Sequence, residues 1–339
     1  MPALTRDQYD VLVVLLSWTL GFLPLFVQQA RGKPSLTWVQ SVGIALVATP
    51  FVRMLLNIYL SIGALFTFTV LEPVSREALW RSVGRDVLFD LAFPLAGLLL
   101  LHNAVPRIRS RRAAPGGVDD ALRANGLAPK HSWARDAARG STLFFVIAFA
   151  YLVALAVSSR ISPALAGGDE SAYWRNITLP LIVLVSGMAG ITEEILFRGI
   201  LLSRLARWMP FALAALVQAL FFGFIHAGYG TWTHVLAPAV FGLGMAWVAR
   251  VLGILPAILL HTQVNIVYFA MDVSDVVPQA WIVVLALGIV NIWAAFATRF
   301  DAIALLWGSL ARAPRRLAAW LRREPAPEPE GELDAAGSR

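Results

Sequence analysis

Between Gly190 and Leu202 the chain reads GITEEILFRGILL. Two adjacent carboxylates, Glu193 and Glu194, and one Arg198 thus sit in an apolar stretch that runs from Ile177 to about Ala206. On a membrane-spanning helix each such charge costs roughly 2.5–3.5 kcal/mol on insertion scales. Glu194 and Arg198 stand one turn apart, in the favoured acid-before-base order, and can neutralise each other. Glu193 points about 100° away round the helix and lacks that local partner. A carboxylate left over in this way marks a functional site by default, the bland alternative being a polar knot that locks helices together.

Two further apolar segments carry polar groups. Phe222-Gly-Phe-Ile-His226 places an imidazole on the next hydrophobic helix. His261-Thr-Gln-Val-Asn265 places a His and an Asn one turn apart, on one face of a third. Amide hydrolysis needs an activated water, a proton shuttle and donors aimed at the developing oxyanion. A carboxylate, an imidazole and an Asn amide supply those parts. Glu193, His226 and His261 could equally form a His₂Glu zinc site with water in the fourth position, although no HExxH prebuilds two ligands on one helix. Metal-dependent and metal-free chemistry both remain open on these residues. Buried Glu and His also build proton relays, so a proton-coupled transporter is a competing reading. A non-catalytic membrane scaffold or immunity protein is another. Against transport, no paired halves with matching broken helices are evident.

The elements that would hold these groups are transmembrane helices. Of 339 residues, 58% are hydrophobic and 14% charged, and mean hydropathy is +0.68, against about 25% charged in soluble domains. Apolar runs near the roughly 20 residues that cross a bilayer recur along the chain. The fold class is therefore all-α, a polytopic bundle of about eight spans. Arginines cluster in a few loops, so the net charge of +7 reads as topology under the positive-inside rule rather than as nucleic-acid binding. The absence of cysteine excludes disulfides, thiolate zinc ligands and a cysteine nucleophile. The first apolar run, Val11–Val27, has no basic segment before it and no small-x-small site after it, so it reads as a retained span.

Three parts follow from this pattern. Residues 1–140 hold the N-terminal spans and a basic loop. In them Thr37–Val70 reads as one long helix kinked at Pro50, or as a close pair of shorter ones. Glu72–Asp86 reads as interfacial, and Val87–Val105 as a span whose Asp90 pairs with Arg85 or faces headgroups. The loop Pro106–Gly140, with RIRSRR, a short helix in VDDALRANGLAP and a solvated His131, is the cytoplasmic marker. Residues 141–300 hold the motif-bearing core, as spans Ser141–Val157, Ile177–Ala206, Phe211–Ala227, Val235–Val251, Leu255–Ala270 and Trp281–Ala297. Residues 301–339 hold an amphipathic helix over Leu305–Arg323, suited to the inner leaflet, and a proline-rich acidic tail expected to be disordered.

On this topology Glu193 lies roughly 15–20 Å from the cytoplasmic side, His226 roughly 22 Å and His261 roughly 10–12 Å. The three could meet in one cavity opening to the cytoplasm. Small residues nearby, Gly187, Gly190, Gly223, Ala227, Gly242 and Gly244, would let the helices approach closely.

Glu193-Glu194-x-x-x-Arg198, Phe222-x-x-x-His226 and His261-x-x-x-Asn265, in that order on successive helices, resemble the three motifs of the CPBP family of type II CAAX prenyl endopeptidases and bacteriocin-processing (Abi) proteins. The resemblance covers roughly Leu179–Tyr268. It departs from the family's usual pattern at Thr262–Val264, which touches no motif position. It implies an intramembrane endopeptidase in which Glu193, with His226, activates water, and His261 and Asn265 stabilise the oxyanion. Glu194, Arg198 and Phe222 would support them, Glu194 and Arg198 mainly structurally. Zinc is an open cofactor under this reading. The expected partners are the bilayer and a membrane-associated peptide, lipidated or membrane-inserted. The expected location is a bacterial cell membrane.

Overall fold

The computed structural model describes residues 6–32, 37–62, 75–104, 132–161, 177–229, 232–273, 277 and 279–322. The described residues form helices and connecting turns without strands. His131, most of the basic loop, the segment 63–70 and the acidic tail lie outside them. Seven helices are long and apolar enough to cross a membrane, and Phe211–Ala227 is a shorter apolar one. The chain is a polytopic helical bundle.

Helix α1 (Arg6–Ala30) packs against α2 (Trp38–Ile62), and α2 runs through Pro50 without a break. Helix α3 (Arg76–Asp86) begins at Ser75, whose side chain accepts from the backbone N–H of Ala78 and so caps the helix. Buried Leu79 and Val83 bind α3 into the bundle, so it is a packed element and not only an interfacial one. It continues through a π-helical turn, Val87–Ala92, into α4 (Phe93–Ala104), which packs on α2.

The second half opens with α5 (Trp133–Thr142), capped by Ser132, and α6 (Phe144–Ile161). Helix α7 (Leu179–Glu194) passes into a π-helical stretch, Ile195–Leu202, immediately after the two glutamates. Such widened turns occur frequently at functional sites. Helix α8 (Phe211–Phe224) ends in a 3₁₀ turn, Ile225–Tyr229, that carries His226. Helices α9 (Thr233–Leu252) and α10 (Ile254–Asp272) are joined by Gly253 alone, at φ +102°. That conformation costs glycine no Cβ clash. Helices α11 (Ala280–Ala297) and α12 (Asp301–Leu321) complete the bundle.

Helix α7 packs on α10, and α8 on α9. The contact of α7 with α10 depends on Gly190, where a Cβ would run into Thr262 and the carbonyl of Ile258. Gly187 has nothing within reach of such a Cβ, so it is not one of the close-approach positions expected. The outer faces stay apolar: Phe149 and Ile289 are each 68% exposed, and Phe296 70%. In water this would be a liability; against lipid it is the required surface.

The bundle has two distinct ends. At one, Arg204 and Arg207 follow α7, Arg250 stacks over the Phe211 ring at the start of α8, and Arg139 pairs with Asp301 at 2.7 Å. Helix α12 lies there too, with Arg312, Arg315 and Arg316 exposed and Ala302 and Leu306 buried, an amphipathic distribution as expected. At the other end, Leu79 and Val83 of α3 cluster with Leu181 and Ile182 of α7 and Phe269 of α10.

Candidate active site

Three long-range contacts assemble the motif residues. Glu194 is fully buried. Its Oε1 lies 2.9 Å from Nη1 of Arg198, also fully buried, as an ion pair without the alignment of a hydrogen bond. The same oxygen lies 2.8 Å from Nδ1 of His261. Arg198 Nη2 donates to the Gly242 carbonyl at 3.2 Å, and the same carbonyl accepts from Nε2 of Gln218 at 3.0 Å. The guanidinium also sits 4.4 Å over the Phe222 ring. One carboxylate thus ties α7 to α10, while its arginine ties α7 to α9.

Phe222 is the apolar centre of this knot. Its ring centroid is 5.1 Å from those of Phe197 and His226 and 5.9 Å from that of His261. Phe241 stands edge-on to His261 at 4.9 Å. Packed on this side by aromatic rings and tethered at Nδ1 by a carboxylate, the His261 imidazole is fixed in orientation.

Glu193 is held differently. It is 22% exposed, and its Oε2 lies 3.7 Å from Nε2 of His261, beyond hydrogen-bond reach and without a hydrogen-bond partner. It lines a cavity of about 310 Å³ together with His226. His226 Nδ1 lies 2.8 Å from the Phe222 carbonyl. A carbonyl only accepts, so Nδ1 carries the hydrogen. His261 and Asn265 do not line this cavity. His261 touches both glutamates, whereas Asn265 is half-buried one turn along α10 and its side chain makes no hydrogen bond with the described residues.

Zinc can be weighed against this donor set. Among the described residues no group of three His, Asp or Glu side chains is placed to hold a metal ion. Nδ1 of His226 faces the Phe222 carbonyl and Nδ1 of His261 faces Glu194, so a metal would have to be held by Nε2 of each ring with Glu193. As arranged, Glu193, His226 and His261 do not form a ligand set.

The far wall of the cavity comes from the N-terminal helices. Arg53 of α2 meets Asp90 Oδ2 at 2.5 Å and Asp86 Oδ1 at 2.7 Å, and all three residues line the cavity with Asn57. Asp90 therefore pairs with Arg53 and not with Arg85, which pairs instead with Asp10 at 3.2 Å. Helix α2 also packs on the turn that carries His226. The lining residues Val83, Val185 and Met188 set the cavity between Glu193 and the bundle end away from Arg204 and Arg207, whereas a cavity opening at the basic end was expected.

All three motifs fall in one matched segment. Residues 175–267 match the model of the family described as type II CAAX prenyl endopeptidase Rce1-like. That segment is similar to the Rce1-like family. Comparisons with curated proteins and with solved structures gave no match. The Rce1-like segment contains Glu193, Glu194, Arg198, Phe222, His226, His261 and Asn265. Arg53, Asp86 and Asp90 lie outside it. These three, with Gln218 and Phe241, are what motif reading missed. A signal existed for some of them, since Arg53 and Asp90 are charges in apolar segments.

Proposed function

We propose that the chain is an intramembrane endopeptidase that hydrolyses a peptide bond of a membrane-associated substrate. The observation that carries this reading is the division of labour between adjacent glutamates. Glu194 is consumed by Arg198 and His261, while Glu193 faces a cavity shared with His226. The Rce1-like match supports a CAAX-type peptidase at the level of the family.

Glu193 takes a proton from water, and the resulting hydroxide adds to the scissile carbonyl carbon. The carbonyl π electrons move to oxygen. That oxyanion is met by His261 and by the Asn265 amide. Collapse of the tetrahedral intermediate breaks the C–N bond, and the proton passes by way of Glu193 and His226 to the leaving amine. Glu194 serves as His261's orienting partner, a role beyond the structural pairing with Arg198.

The arginine distribution assigns the Arg204/Arg207 end to the cytoplasm. The cavity then lies in the half of the bilayer away from it, in a bacterial cell membrane on our reading. The test is cleavage of a membrane-inserted reporter peptide by purified protein in liposomes. Wild-type cleavage that Glu193→Gln abolishes in a folded, inserted protein supports the reading; near-wild-type turnover by that variant overturns it.

A further inference from the structure

The cavity wall opposite the motif residues has a charge pattern that the hydrolytic chemistry does not use. Asp86 and Asp90 grip the two ends of the Arg53 guanidinium, and Arg53 is itself 9% exposed and stacked 5.6 Å over Phe89. The Tyr9 hydroxyl, 2.8 Å from the Arg53 carbonyl and 2.7 Å from Asn57 Oδ1, braces this stretch of α2 from α1. The wall is thus drawn from α2, α3 and the π-helical turn, with α1 bracing it. Two wall carboxylates, Asp86 and Asp90, face the cavity against one guanidinium, leaving an excess of one negative charge on the wall itself, to which Glu193 adds another from across the cavity. In a low-dielectric setting that excess attracts a cation strongly.

We propose that the Asp86–Arg53–Asp90 wall makes this cavity select peptides with a cationic side chain, Lys or Arg, close to the scissile bond. The inference rests on the cavity being the substrate site and adds the class of residue it takes. A volume of about 310 Å³ is on the order of 7 Å across, about two residues of extended chain. A group bound at the wall is then within one or two positions of the bond facing Glu193. Arg53 acts as a positioning residue: it fixes the two carboxylates and lowers the charge they would otherwise carry together.

The experiment uses the full-length Glu193→Gln protein in liposomes and a set of fluorescent membrane-inserted peptides. The peptides differ only in Lys, Gln or Glu at each of four positions spanning the reporter bond. Binding should favour Lys over Gln by about tenfold or more at one or two positions, with Glu weakest. Adding Asp90→Asn or Asp86→Asn should cut the Lys/Gln ratio several-fold, while adding Arg53→Gln should raise it. A purely structural wall would change folded yield and leave the ratio alone. Equal binding of the three peptides, or a ratio indifferent to both Asp→Asn changes, overturns the proposal. The peptide series alone can overturn it if the wall variants fail to fold. Lys-selective binding without cleavage of any peptide by the wild type would instead count against the endopeptidase reading.

Discussion

Nδ1 of His261 and Nη1 of Arg198 converge on one oxygen of Glu194, at 2.8 and 2.9 Å. A histidine nitrogen and a guanidinium from different helices on a single buried carboxylate oxygen make Glu194 a hinge point between stability and chemistry. Removing either partner has a different consequence.

Arg198→Ala leaves Glu194 buried without its counter-charge. Breaking a buried pair in this way typically costs about 3–5 kcal/mol, so folded yield and thermal midpoint should fall together with turnover. Normal yield and melting, with only turnover lost, would place Arg198 on the substrate instead.

Glu193→Gln keeps shape but cannot take a proton at neutral pH. It should insert and melt normally and lose at least roughly 10²–10⁴-fold in turnover. His226→Ala should lose a similar factor, and the double variant little more, because groups acting as one unit are not additive. Chelators should leave wild-type turnover unchanged. Loss on chelation with recovery on zinc addition would recast Glu193 as a ligand.

Asn265→Ala should lower turnover by roughly 10²–10³-fold, the range of an oxyanion-hole donor, with no change in melting. His261→Ala should lose as much and also melt lower, since Glu194 would lose its α10 partner. Peptide-cleavage rates and thermal unfolding of the two variants, measured side by side, separate the roles.

Gly190→Ala brings a methyl into Thr262 and the Ile258 carbonyl. Overpacking of this kind costs about 1–3 kcal/mol, and spreading α7 from α10 should also weaken the His261–Glu194 contact. Thermal unfolding reads the first effect and turnover the second. Thr262→Ala should restore part of both.

The cavity's position gives a topology test. A cysteine at Asn57, exposed on the cavity wall, should react with an impermeant thiol reagent from the side opposite to a cysteine at Gly116. Labelling of both from the same side would refute the assigned orientation.

Local pattern alone carried a good deal. Runs of apolar residues defined the helices of the core to within a few positions, because a spanning helix satisfies its own backbone in lipid. The i, i+4 spacing paired Glu194 with Arg198 and set His261 and Asn265 on one face, because these relations lie within one turn. What the tertiary structure decided depends on how helices rotate and stack. His261 reaches Glu194 across 67 residues and Arg53 reaches Asp90 across 37, and no spacing rule fixes the azimuth of one helix against another. The same limit explains Asp90. A neighbour in sequence, Arg85, looked like its partner, but Arg85 meets Asp10 on α1 while α2 presents Arg53 to Asp90. The end of the bundle toward which the cavity lies was settled in the same way, by α2 and α3 closing over Glu193, a packing choice that hydropathy does not encode.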